Sequence, residues 1–103
     1  MVLAIDFDGV IIDPNNRKPG RRMGEPVEGA VQAITALKRA GHTIIIHTVR
    51  GDRPSHVAEW LDYFMIPYDL ITDVKPDAGL YLDDKAVRFA AWRHLDDDPS
   101  AWR

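Results

Sequence analysis

Short, continuously apolar runs that alternate with stretches of helical period restrict the fold of this chain more than any other feature. The runs are Val2–Ile5, Thr43–His47, Tyr68–Ile71 and Leu80–Leu82. Most lack the polar alternation of a half-exposed strand, so they read as strands buried on both faces of a parallel sheet. Between them, Val27, Ala30, Val31, Ile34 and Leu37 keep a helical spacing, with Pro26 near the start and Gly41 just past the end. Val57, Trp60, Leu61 and Phe64 do the same after Pro54, and a third helix is expected from about Lys85 to Leu95, with Val87, Ala90, Ala91 and Leu95 inward. Strands alternating with helices imply βαβ crossovers. The expectation is one Rossmann-like α/β domain over residues 1–103, a three-layer α/β/α arrangement around a mainly parallel sheet.

One segment breaks the alternation. Gly9 to Glu25 has no helical period, contains Pro14, Pro19, Gly20 and Gly24, and carries Arg17, Lys18, Arg21 and Arg22. Compact domains rarely hold so long a connection unless it is functional or disordered. It follows the first strand directly, so a flap over about residues 9–25 is expected to overhang that strand's carboxyl end.

Three of the four strands end in residues able to do chemistry. The first delivers Asp6-Phe7-Asp8-Gly9, the second Thr48-Val49-Arg50-Gly51, and the fourth Asp83-Asp84, with Lys75-Pro76 in the connection before it. Ligands of open parallel sheets bind beyond the carboxyl ends of the strands, above all where the strand order reverses. With the first strand central, and the second and fourth on either side of it, these residues converge. Two carboxylates about 4 Å apart repel by roughly 4 kcal/mol at an effective dielectric near 20. Gathering Asp6, Asp8 and Asp83 therefore calls for a counter-charge or raised pKa values. Oxygen ligands alone suit a hard ion such as Mg²⁺. Zinc is disfavoured, because His42, His47, His56 and His94 show no paired ligand spacing and the chain has no cysteine.

Composition narrows the function classes further. Without cysteine there is no disulfide, thiolate catalysis or thiolate-bound metal. A net charge of −3 gives no general attraction to nucleic acid or anionic membrane. Met1-Val2-Leu3-Ala4-Ile5-Asp6 has no basic leader, and no apolar stretch approaches membrane-spanning length, so a cytoplasmic protein with no membrane partner is expected.

Taken in order, these motifs resemble the haloacid dehalogenase superfamily, in particular its short, capless phosphatase-like branch. Asp6-Phe7-Asp8-Gly9-Val10 is similar to the first motif of that family. Thr48 is similar to the second, Lys75 to the third, and Asp83-Asp84 to the acidic fourth. The resemblance implies a magnesium-dependent phosphomonoester hydrolase in which Asp6 is the nucleophile and forms an aspartyl-phosphate. It implies that Asp8 is the general acid and then base, and that Thr48 and Lys75 contact the phosphoryl group. Mg²⁺ would be held by Asp6, the carbonyl of Asp8, and one or both of Asp83 and Asp84. Arg50 is a further candidate phosphate contact. The intervals before and after Thr48 leave no room for the cap domain of larger members. Capless members often act on macromolecules or rely on an oligomeric partner to close the site.

Blander roles compete at several positions. Asp84 is as well placed to cap the helix expected after it. The basic residues at 17–22 suit a solvated loop face as well as a substrate clamp, and Asp96-Asp97-Asp98 reads as a solvated tail. Three other functions share parts of the pattern. A response-regulator receiver also phosphorylates an aspartate beside Mg²⁺, but its acidic pair, aspartate, threonine and lysine come in a different order. A non-catalytic phosphate- or partner-binding module would tolerate the loss of a catalytic position, and none is missing. A phosphatase of nucleic-acid ends would use the basic flap against the backbone.

Overall fold

The computed structural model describes residues 1–49, 54–86, 88 and 89. In chain order the elements are β1 (Val2–Asp6), β2 (Ile12–Asp13), β3 (Glu25–Pro26), α1 (Ala30–Arg39), β4 (Thr43–His47), α2 (Pro54–Tyr63), β5 (Leu70–Thr72) and β6 (Leu80–Leu82). Four strands form one parallel sheet in the order β5-β4-β1-β6, so the first strand is central. The fold class is the α/β, Rossmann-like one that the sequence predicts.

Register decides which residues share a face. Leu3 lies beside Ile44 and Leu80, and Ile5 beside Ile46 and Leu82. Leu3, Ile5, Ile44 and Ile46 join Phe7, Ile34, Val57, Trp60 and Leu61 in one buried core. Residues of both helices belong to this core, so both pack on the same face of the sheet. That agrees with two successive right-handed crossovers stepping in one direction, from β1 to β4 to β5. The step back from β5 to β6 carries no helix, only residues 73–79. The third helix expected from Lys85 is not seen where the chain is described: Lys85, Ala86, Arg88 and Phe89 are not helical, and the rest of 85–95 lies outside the described residues. The Asp83 carboxylate accepts the Lys85 backbone N–H at 2.8 Å, a local Asx turn. The described residues thus show the sheet and one helical layer.

Both helix ends follow from backbone chemistry. At the end of α1, His42 N–H donates to the Leu37 carbonyl and Gly41 N–H to that of Lys38, with Gly41 at φ +93°. At the end of α2, Ile66 N–H donates to Leu61 and Met65 N–H to Asp62, with Met65 at φ 56°. Each is a Schellman turn, which needs one left-handed residue and is easiest with glycine. Two expected boundaries shift. Pro26 and Val27 belong to the arm before α1, where Val27 N–H donates to the Ile11 carbonyl. Strand β5 begins at Leu70 rather than Tyr68, because the Asp69 carboxylate is drawn to Ile44 N–H at 2.7 Å and to the Lys38 ammonium. Among the described residues no helix is long and apolar enough to cross a membrane.

Candidate active site

At the carboxyl end of β1 the chain does not run on. Phe7 N–H completes the ladder to the His47 carbonyl, and the Phe7 carbonyl then accepts both Ile11 and Ile12 N–H at 3.0 Å. This tight turn holds Asp6 and Asp8, both half-buried, on the rim of the sheet. Gly9, inside the turn, has φ +86°, and a Cβ added there would run into the Asp84 carboxylate. A side chain at Gly9 is strained by its backbone conformation, and its Cβ would displace the Asp84 carboxylate.

The neighbouring strand β6 delivers the other acids to the same rim. Asp6, Asp83 and Asp84 each offer a carboxylate oxygen, and the three oxygens lie within 4.8 Å of one another. Burial and then repulsion from Asp83, Asp84 and Asp8 hold the Asp6 carboxyl above the ordinary aspartate range, while His47 pulls it partly back. A hard divalent cation fits this all-oxygen donor set and would relieve the repulsion that the fold imposes. The two members of the second pair differ. Asp83 already accepts the Lys85 N–H, whereas Asp84 lies against Gly9.

The remaining candidates fall in different places. Thr48 is buried at 9% exposure, and its backbone N–H donates to the Thr72 carbonyl at 3.0 Å, extending the β4–β5 ladder to the rim. Lys75 is exposed, its ammonium 5.1 Å from the centre of the Tyr81 ring, and it is not among the charges that shift Asp6. Arg50 lies outside the described residues. His47 was not singled out by sequence, yet it faces Asp6 in the β1–β4 register and stabilises its charged form. Its place at the end of an apolar run, beside Thr48, was the available signal.

The flap has more structure than its sequence suggested. Strands β2 and β3 pair antiparallel at its base, each too short to show a period. A Cβ at Gly24 would meet the Asp13 carbonyl, so the two arms close only over glycine there. The buried Trp60 Nε1–H donates to the Gly24 carbonyl at 2.8 Å, and its ring meets Phe7 edge-on with centroids 5.2 Å apart. Trp60 therefore joins the flap to the turn that carries Asp6 and Asp8. Of the flap's cations, Lys18 pairs with Glu25 at 3.2 Å, while Arg21 and Arg22 reach side chains of α2.

No known family's sequence profile matches the chain, and no curated protein matches it. Two solved structures do. A conserved protein from Bacteroides thetaiotaomicron shares 25% identity with a TM-score of 0.67, over 91% of this chain and 84% of its own. A protein from Vibrio cholerae shares 26% identity with a TM-score of 0.60, over 98% of this chain and 85% of its own. Both are similar to this chain in fold.

Proposed function

We propose that the chain is a Mg²⁺-dependent phosphomonoester hydrolase of the haloacid dehalogenase type, working through an aspartyl-phosphate on Asp6. The observation that carries this reading is the convergence of Asp6, Asp83 and Asp84 within 4.8 Å on the rim of a parallel sheet. Asp6, Asp83, Asp84 and the Asp8 carbonyl are the groups that would hold Mg²⁺, which supplies charge neutralisation and orients the phosphoryl oxygens.

Each residue then has a definite task. An Asp6 oxygen attacks phosphorus while the bond to the leaving oxygen breaks, and Asp8 gives its proton to that oxygen. Water next attacks the phosphorus, Asp8 takes its proton, and Asp6 is released with inorganic phosphate. Thr48 donates to the phosphoryl oxygens. Lys75 supplies positive charge after leaving the Tyr81 ring, a contact worth only about 0.5–1 kcal/mol at an exposed site. The short turn of Phe7–Ile12, braced by Trp60, keeps Asp6 and Asp8 in fixed relation.

The test is phosphate release from a panel of phosphomonoesters with Mg²⁺ and after its removal by chelation. It is paired with borohydride trapping of the acyl phosphate and mass spectrometry of the peptide containing Asp6. Metal-dependent release with label at Asp6 is expected. Release that is equal in the Asp6→Asn variant overturns the aspartyl-phosphate mechanism, and release absent from every ester overturns the hydrolase reading and leaves a non-catalytic phosphate-binding module.

A further inference from the structure

The face of α2 that meets the flap carries His56, Glu59, Trp60 and Tyr63, positions that recur on one side of a helix. Between this face and residues 21–25 runs an open groove of about 610 Å³, within the size range of small-ligand sites. Arg21 and Arg22 stand at different points along it. The Arg21 guanidinium donates to the Tyr63 hydroxyl at 2.7 Å and lies 4.7 Å from the centre of that ring. The Arg22 guanidinium sits 3.0 Å from His56 Nε2 and 3.3 Å from its Nδ1. His56 and Tyr63 are two helical turns apart, so the two cations are spaced by roughly 10 Å along the helix axis.

Both guanidiniums are exposed and anchored on rings rather than on acids. The ion pairs found among the described residues, Lys18–Glu25 and Lys38–Asp69, involve neither of them. A guanidinium held by a ring keeps most of its N–H fork free for an oxyanion and has little entropy left to lose. The opposing charges of the groove are Glu59 on the helix and Glu25 on the flap, which acts on Arg21 and is itself paired with Lys18. Arg22 also lines an adjoining cavity of about 440 Å³ with Arg17, Met23 and Gly24, so the cationic track continues around the flap. Trp60 forms part of the groove and its ring meets the buried ring of Phe7, so one side chain joins the groove wall to the turn that carries Asp6 and Asp8.

We propose that this groove binds the leaving-group side of the substrate, and that this side carries a second phosphate held by Arg21 and Arg22. The proposal rests on the phosphohydrolase reading for its view of what the leaving group departs from, but the groove's preference can be measured without turnover. A second phosphate has two sources, a small bisphosphorylated metabolite or the next phosphate of a polynucleotide end.

The experiment measures dissociation constants by calorimetry on the full chain carrying Asp6→Asn, and on the unmutated chain with Ca²⁺ in place of Mg²⁺. The probes are a sugar monophosphate, the matching sugar bisphosphate, a nucleoside 3′-monophosphate and a 3′-phosphorylated oligonucleotide. A charge-assisted contact predicts that a second phosphate tightens binding about tenfold to a hundredfold. Arg21→Ala and Arg22→Ala should each shrink that ratio toward one, and Glu59→Gln should enlarge it. A preference shown by the sugar bisphosphate assigns the small-molecule source. A preference confined to the oligonucleotide, with a salt slope lowered by about one unit per lost arginine, assigns the polynucleotide end. Equal affinity for mono- and bisphosphorylated probes, or a preference that survives both arginine variants, overturns the proposal. Absence of all turnover alongside an intact, arginine-dependent preference overturns the hydrolase reading and leaves the groove standing.

Discussion

Strands β1 and β6 lie side by side in register and each hands a pair of acids to the same rim, yet their surroundings differ sharply. In β1, Leu3, Ala4 and Ile5 are 3%, 1% and 1% exposed; in β6, Leu80, Tyr81 and Leu82 are 47%, 42% and 38% exposed. Asp6 therefore hangs from a strand clamped on both sides, while, among the described residues, Asp83 and Asp84 hang from a strand with much less packed around it. The difference suits the roles proposed above. A reacting carboxylate gains from a fixed, partly desolvated position, whereas ligands that close around an ion gain from freedom to adjust.

Loss of turnover is the largest expected effect, and it should be unequal between the walls. Asp6→Asn is expected to lower kcat by more than about 10⁴-fold, as removal of a nucleophile does. Asp84→Asn should retain measurable turnover that higher Mg²⁺ partly restores. Steady-state kinetics across a Mg²⁺ series checks this, and equal, unrescued losses in both variants would erase the distinction. Next in size is the ion itself. Mg²⁺ a hundredfold above its dissociation constant should stabilise the chain by about 2.7 kcal/mol, read from thermal melts with and without chelator. Melts indifferent to divalent ions would mean that the two walls do not share a ligand.

The contact between the walls gives a smaller effect. Gly9→Ala forces a methyl against the Asp84 carboxylate, and is expected to weaken Mg²⁺ binding about 10–100-fold, in line with other disturbances just outside a metal site. Titration of the variant would show it. The smallest effect is on acid stability. Because Asp6 is held above its ordinary value, the metal-free fold keeps its proton at pH values where the unfolded chain, at about 3.9, has released it. This contribution is fully present below the unfolded value, is lost as pH rises through the folded value, and stays lost above it. Metal-free stability should therefore fall with rising pH across that window, and Asp6→Asn should flatten the fall. A slope left unchanged in the variant would remove Asp6 as its source.

Much of this site was legible because a parallel sheet delivers every strand's carboxyl end to one rim. Once Val2–Ile5, Thr43–His47 and Leu80–Leu82 read as strands, Asp6, Thr48 and Asp83-Asp84 had to arrive together if the first strand was central. What stayed hidden depended on contacts with no local pattern. The β2–β3 arm is a pair of two-residue strands, and its closure rests on Gly24 passing the Asp13 backbone. His47 looked like the polar end of a strand, because its proximity to Asp6 is a matter of register. The Lys75 ammonium lies toward Tyr81, two residues past the glycine that ends its loop, and nothing in the spacing reveals that direction. Asp83, rather than Asp84, accepts the Lys85 N–H, a choice that two adjacent aspartates do not reveal.

The helix-free link at 73–79 has a consequence for how the molecule assembles. It leaves β5 at the carboxyl edge and must start β6 at the amino edge, three strand spacings away, a sideways travel of about 14 Å. Seven residues make that crossing without a helix, and they bring no helical nucleus of their own. The β1–β6 pairing also joins the most distant segments in the sheet, Leu3–Ile5 with Leu80–Leu82. Loop-closure entropy favours zipping β1, β4 and β5 through their local crossovers before this ribbon is drawn across. The acidic cluster would then mature late, which makes it a reporter of completed folding rather than a seed for it.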